Sequence, residues 1–174
     1  FRWRADRRTG IEIADARFDG GDGPRRVLYE GYLSDLFVPY QDPDPAWAFR
    51  TLLDSAEFGL GTTLSTLTLG VDCPNHATLL DIAVPNDAGD PSVRSGGACV
   101  FERPTGDPAW RHKGSGTDQA IGSGVQEIEL VLRFISTIGN YDYIVDYVFG
   151  ADGAIRFHVF AAGIVLQKGV DAST

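Results

Sequence analysis

Apolar and polar residues alternate with a period of two along much of this chain. GIEIADARFD (10–19) shows the alternation clearly, as do TTLSTLTLGVDC (62–73) and HATLLDIAVPND (76–87). Successive side chains of a strand point to opposite faces, so a half-buried strand needs this period. FRWRA at the start and GGACVFERP (96–104) read as further short strands. VQEIELVLRFISTIG (125–139) and YDYIVDYVF (141–149) are more continuously apolar and read as core strands. RRVLYEGYLSDLFVPY (25–40) is apolar and aromatic in patches and stops at Pro39, whereas AIRFHVFAAGIVLQKG (154–169) predicts a last strand pair or one long bent strand.

The breaks between these runs carry turn chemistry. QDPDPAW (41–47) predicts a Pro/Asp loop, NDAGDP (86–91) a turn and ADG (151–153) a hairpin turn. PTGDPAWRHKGSGTDQAIGSG (104–124) predicts a long polar loop, and WAFRTLLDSAEFGLG (47–61) a short helical turn running into a Gly-rich bend. Eight to ten short strands with Gly/Asp turns predict an all-β sandwich in a single domain over 1–174, ahead of a barrel or an α+β fold.

Composition narrows the function classes. The chain is 43% hydrophobic, enough for a packed core rather than a disordered chain. Its net charge is −9 with no basic block, which argues against nucleic acid and anionic membranes as partners. No charge-free apolar run reaches the ~18 to 20 residues of a membrane-spanning helix. The sequence contains no methionine, so the chain reads as split, processed or part of something larger. Cys73 and Cys99 are the only cysteines, and on residue type alone both buried thiols and a disulfide remain open.

Few motifs announce chemistry. There is no CxxC, HExxH, GxSxG or P-loop. His76, His112 and His158 stand far apart and read as surface or packing histidines. Asp54, flanked by leucines in LLDSAEFG, is either a turn or cap residue or a carboxylate in apolar surroundings suited to act as a general base. The cluster GNYDY (139–143) places Asn, Asp and two Tyr between two core runs, where a strand pair alone does not call for them.

Taken together and in order, VPYQDP (38–43), LLDSAEFGLG (52–61), DCP followed by a second Cys, WRH (110–112), TIGNYDY (137–143) and DGAIRFHVFAAGIV (152–165) resemble the catalytic domain of the copper-containing amine oxidases. The likeness covers nearly the whole chain but only the first part of that domain. It implies an amine-oxidase-type super-sandwich, incomplete here and completed by another chain or segment. It implies oxidative deamination of a primary amine by O₂ to an aldehyde, ammonia and hydrogen peroxide. Within that resemblance Tyr141 matches the tyrosine processed to the quinone cofactor topaquinone, and Asp54 matches the catalytic base. Tyr40, fourteen residues before Asp54, matches a tyrosine that hydrogen-bonds the quinone, and Asn140 matches the residue that positions it. Cys73 and Cys99 match a disulfide, which implies a secreted or periplasmic location. Leu52 lies in the substrate channel where the family often has an aromatic gate, and Ala56 stands where Gly is usual.

The resemblance also implies Cu(II), held by three histidines of which two form a His-x-His pair. This sequence has no such pair, so no metal ligand is assigned in it. Two expectations compete. In one, a second polypeptide or segment carries the copper ligands, the oxidase is split or processed, and the completed unit dimerises. In the other, Tyr141 stays a tyrosine. Asp54 and Tyr40 then act as cofactor-free acid and base in an isomerase- or cyclase-type reaction, or the chain is a non-catalytic binding pseudo-enzyme.

Overall fold

The computed structural model describes residues 1–114 and 122–170. Strands β1 (Arg2–Asp6), β2 (Gly10–Phe18) and β3 (Arg25–Gly31) form one antiparallel sheet in that order. Two short strands, β4 (Phe37–Pro39) and β5 (Thr51–Leu53), pair with each other and lead into a single helical turn, α1 (Asp54–Glu57). The main sheet follows in a simple antiparallel meander. It consists of β6 (Thr78–Pro85), β7 (Pro91–Lys113), β8 (Gly122–Ile138), β9 (Tyr141–Gly150) and β10 (Ile155–Gly163), in spatial order β10-β9-β8-β7-β6.

The expected sandwich is present. One face of the main sheet, carrying Leu132, Phe134, Val145 and Tyr147, packs on Ile11, Ile13 and Ala16 of β2. The opposite face carries Phe101, Val131, Ile135 and Val148, and is closed by Leu67 and by the Cys73–Cys99 disulfide. β8 from Glu129 to Ser136, and β9 beside it, are largely buried on both faces. That explains why their sequences are nearly continuous in apolar residues instead of alternating. The ion pair of Arg133 with the fully buried Asp146 is bidentate, and the remaining Arg133 Nη1 donates to the Asp72 carbonyl at 2.8 Å. A fully buried Asp146 is tolerated because both of its oxygens are bonded.

Two expectations about elements, for 62–73 and 104–124, are corrected. The alternating run 62–73 forms no strand; only 63–65 lies along the end of β8, where Ser65 N–H donates to the Ile135 carbonyl and Thr137 N–H to the Thr63 carbonyl. The remainder turns away through Gly70 to reach Cys73; Leu64 and Leu67 are buried and Leu69 is exposed, so burial there does not follow period two. The expected polar loop 104–124 is mostly ladder: β7 continues to Lys113 and pairs with β8 back to Gly122. Register shifts at Pro104 and Pro108 absorb the prolines, which cannot donate to a ladder. This two-stranded arm is exposed on both faces, so it lacks the apolar alternation that would reveal it. The run 25–40 is two strands, β3 and β4, in different sheets.

The run 154–169 contains one strand, not a pair. β10 ends at Gly163, whose φ of +106° favours glycine. Any Cβ there would collide with the Asn140 carbonyl oxygen, which instead accepts the Ile164 N–H at 2.8 Å. The chain then continues as an irregular strap across the end of the β8–β9 hairpin.

Candidate functional site

The residues singled out around Asp54 and Tyr141 converge on one cleft of about 200 Å³. Val38, Tyr40, Leu52, Asp54, Phe58 and Tyr141 are among its lining residues, with Ile138, Gly139, Asn140 and Leu166 closing its other side. A larger hollow of about 520 Å³ lies along the β7–β8 arm beside Arg111, His112 and Lys113 and shares no lining residue with the first. Size is a poor guide in this case; the convergent polar groups mark the smaller cleft.

Three separate pieces of chain build the site. From β9, Tyr141 and Tyr143 point to the same face because they are two residues apart on a strand. The two-residue turn Gly139–Asn140 joins β8 to β9, with Gly139 at φ +59°. The cluster GNYDY therefore has two origins: Gly139 and Asn140 make the hairpin turn, while Tyr141 lines the cleft and Tyr143, buried in the core on the same face, reaches Asp54. In the small antiparallel sheet Val38 pairs with Leu52, so Tyr40 and Asp54, each two residues further along its own segment, leave opposite ends of the ladder on the face that carries this pair. Tyr40 N–H donates to the Arg50 carbonyl at 3.0 Å, and the Tyr40 ring packs edge-on against Trp47.

Asp54 opens α1 and is only 3% exposed. Its N–H donates to the Leu36 carbonyl at 2.9 Å, and the next residue, Ser55, donates its hydroxyl to the Arg8 carbonyl at 2.8 Å. Those bonds tie the helical turn to both flanking segments. Ala56 sits within the right-handed turn rather than at positive φ, so an alanine where the family usually has glycine carries no strain. The two carboxylate oxygens of Asp54 differ. Oδ2 accepts the Tyr143 hydroxyl, while Oδ1 is buried and has no hydrogen-bond partner. A buried oxygen left without a partner is uncommon and calls for a reason.

The phenols form a chain. Tyr40 and Tyr141 hydroxyls lie 3.2 Å apart, and the Tyr141 oxygen also accepts the Leu166 N–H at 3.2 Å. The donors from Tyr40, and then from the Leu166 backbone, hold the Tyr141 phenol below its ordinary value. Tyr40 shows the reverse: its bond to Tyr141, then burial, push it up to about 12. Burial, followed by the bond to Asp54, pushes Tyr143 up further. Of the three phenols, Tyr141 is the one that ionises most readily.

Leu166 belongs to the strap. Past it, Lys168 Nζ reaches the Asp42 carboxylate at 2.8 Å and Asp44 at 3.1 Å, clamping the strap to the Pro/Asp loop beyond Tyr40. The sequence reading missed Tyr143 and Leu166. Period two from Tyr141 was a usable signal for Tyr143; Leu166 takes part through its backbone, for which residue type carries no signal.

Among the described residues no three His, Cys, Asp or Glu side chains converge to hold a metal ion. His76 bonds the Glu102 carbonyl and His112 lies on the arm, so neither lines the cleft. A copper ion therefore does not fit the donor set described. Cys73 and Cys99 are joined, as the resemblance implied.

Comparison with known proteins agrees along the full chain. The family model described as copper amine oxidase, enzyme domain, matches residues 1–174. The primary amine oxidase of Klebsiella aerogenes is 39% identical over 174 residues, covering 100% of this chain and 22% of that protein. The copper-containing amine oxidase gamma 1 of Arabidopsis thaliana is 40% identical over 172 residues, 97% of this chain and 24% of its own length. Among solved structures, the copper-containing benzylamine oxidase of Hansenula polymorpha superposes with a TM-score of 0.79 at 31% identity, over 95% of this chain and 26% of that one. The Pichia pastoris lysyl oxidase reaches a TM-score of 0.82 at 32% identity, over 95% of this chain and 21% of that one. The chain thus spans about a quarter of the length of the relatives it matches.

Proposed function

Since the chain belongs to the copper amine oxidase family, we propose that it supplies the base and the cofactor-forming tyrosine of a primary-amine oxidase. The overall reaction converts R-CH₂-NH₃⁺, O₂ and water to R-CHO, NH₄⁺ and H₂O₂. The observation that carries this reading is the pairing, in one apolar cleft, of a buried carboxylate oxygen that lacks a partner with a phenol whose ionisation is favoured.

Each residue has a role that its surroundings support. Asp54 attracts the substrate ammonium and then takes a proton from the carbon next to nitrogen, at Oδ1. Leu52 and Phe58 keep water from that oxygen, which strengthens both actions. Tyr141 is the topaquinone precursor; once formed, the quinone supplies an electrophilic carbonyl and a sink for electrons. Tyr40 hydrogen-bonds the Tyr141 oxygen and fixes it against the cleft wall. Asn140 lines the cleft next to Tyr141 and limits the room for its ring to turn. Leu52, smaller than an aromatic gate, leaves the entrance wider.

Copper ligands lie outside the described residues on this reading, in a partner polypeptide or another segment. The disulfide fits an oxidising, non-cytosolic setting. The test is an intact mass and peptide map of the expressed protein, with copper analysis and phenylhydrazine labelling of the same sample. A mass gain on the Tyr141 peptide equal to conversion of tyrosine to the quinone, with bound copper, is the expected result. An unmodified Tyr141 in copper-loaded protein overturns the oxidase reading and moves attention to Asp54 and Tyr40 as cofactor-free acid and base.

A further inference from the structure

The partner of Asp54 Oδ2 has no part in the roles above. We propose that Tyr143 is the positioning residue for the base: its hydroxyl holds Oδ2, so that Oδ1 is the oxygen left to take a proton. This inference rests on Asp54 being the base.

The geometry favours it on three grounds. First, the two groups come from opposite walls. Asp54 starts a helical turn only four residues long, at the end of a two-stranded sheet. Tyr143 lies inside the five-stranded sheet, opposite Ser136 of β8 and Ala161 of β10, and is 7% exposed. Their bond ties a short helical turn to the interior of the five-stranded sheet. Second, a carboxylate rotates about its terminal bond and exchanges its oxygens unless one is held. The phenol holds one, and the unpartnered Oδ1 is the other. Third, Tyr143 does not compete for the proton. Burial raises its phenol well above the ordinary value, so it stays a donor throughout the range in which an enzyme works.

The titratable groups that reach Asp54 are the phenols of Tyr143 and Tyr141 from β9 and of Tyr40 from the segment after β4. No cationic side chain among the described residues pairs with it. Among the described residues the Tyr143 hydroxyl is thus the one hydrogen-bond donor to the Asp54 carboxylate. A donor to the anion favours the anion, so its loss moves the carboxylate titration to higher pH.

The test uses Tyr143→Phe, which removes only the hydroxyl. In copper-free protein, the Asp54 carboxylate is followed by infrared difference spectroscopy, assigned against Asp54→Asn. The expected midpoint moves up by about one pH unit, the scale of one hydrogen bond to a charged group. In copper-loaded protein, kcat/KM for the amine falls about ten-fold by the same conversion. The isotope effect for α-deuterated amine grows, and the acidic limb of the pH profile moves up. Because Tyr143→Phe could fail to fold, 3-fluorotyrosine incorporated at position 143 serves as the second probe. It is a stronger donor of the same shape and moves the midpoint down. An unmoved midpoint with either probe, whatever happens to the rate, overturns the proposal and leaves Tyr143 a packing residue. If Asp54→Asn itself retains normal amine oxidation, the base assignment fails instead. Loss of oxidation in Asp54→Asn with an unmoved midpoint in the Tyr143 probes sinks this inference alone.

Discussion

Asp54 and Tyr141 are 87 residues apart in sequence, yet the cleft gives them a single chemical environment. At the scale of the residue, the governing fact is which oxygens have partners. Tyr141 oxygen receives two donors and its phenol is depressed; Tyr40 gives one and is raised. A direct consequence concerns Tyr40→Phe. That change removes the first of the two donors to Tyr141, so the Tyr141 phenol in unprocessed, copper-free protein titrates at higher pH than in the wild type. Ultraviolet difference titration at the phenolate band, with Tyr141→Phe as the reference, measures it. A Tyr141 titration that does not move in Tyr40→Phe contradicts the hydrogen-bonded pair. The residue scale also shows where sequence patterns succeed. Asp54 and Tyr141 stood out through their match to the family pattern; by residue type alone Asp54, which follows Leu52 and Leu53, reads equally as a turn residue, and Asn-Tyr-Asp in a core run only raised the question. Tyr143 was overlooked because a tyrosine in a buried strand looks like packing until the partner of its hydroxyl is known.

Elements position these residues, and the least regular element matters most to the cleft. The strap after β10 makes no ladder, yet it donates a backbone N–H to Tyr141 and is clamped by Lys168 to Asp42 and Asp44. The clamp sets its own pH window. Lys168 depresses Asp42 directly. Asp44 is lowered first by the Ala46 N–H and then by Lys168. Lys168 is in turn raised by Asp42. For the acids, a depressed folded value means the contribution is present above the ordinary 3.8 and is lost as pH falls below it. For the lysine, a raised value means the contribution is present below the ordinary 10.5 and is lost as pH rises past it. Hydrogen exchange, corrected for intrinsic rates, is therefore expected to show steady protection of the Leu166 amide between those limits and faster exchange outside them. Lys168→Ala removes the plateau. These groups are exposed, so the clamp governs local opening of the strap and adds little to global stability. The β7–β8 arm teaches the opposite lesson at this scale. It is a regular ladder whose sequence looks like loop, because neither face is buried and alternation follows burial, not pairing.

At the scale of the whole molecule, one covalent link ties the irregular segment after α1 to the main sheet. Cys73 and Cys99 are 26 residues apart and close a loop that contains β6. In the chain-entropy account, such a link constrains the unfolded chain and stabilises the fold by about 3 kcal/mol. Cys73→Ser/Cys99→Ser is expected to lose about that amount in urea unfolding. The Asp54–Tyr143 pair, on the opposite face of the sheet, stays intact. A double variant of unchanged stability contradicts the account. The molecule as a whole also presents β10 as an edge strand, with Phe157, Val159 and Phe160 more than a third exposed on it.

The linear order of residues determined the strand-rich class, the core strands β8 and β9, and the membership signal spread over VPY, LLDSAEFG and TIGNYDY. Periodicity and residue type are local quantities, and each of these features is local. Tertiary structure alone decided that 62–73 is not a strand, that 104–113 is one, and that Tyr143 and the Leu166 amide join the site. Strand pairing depends on which backbone lies alongside, and a hydrogen bond depends on where two distant atoms meet. Neither is written in the spacing of residues along a single chain.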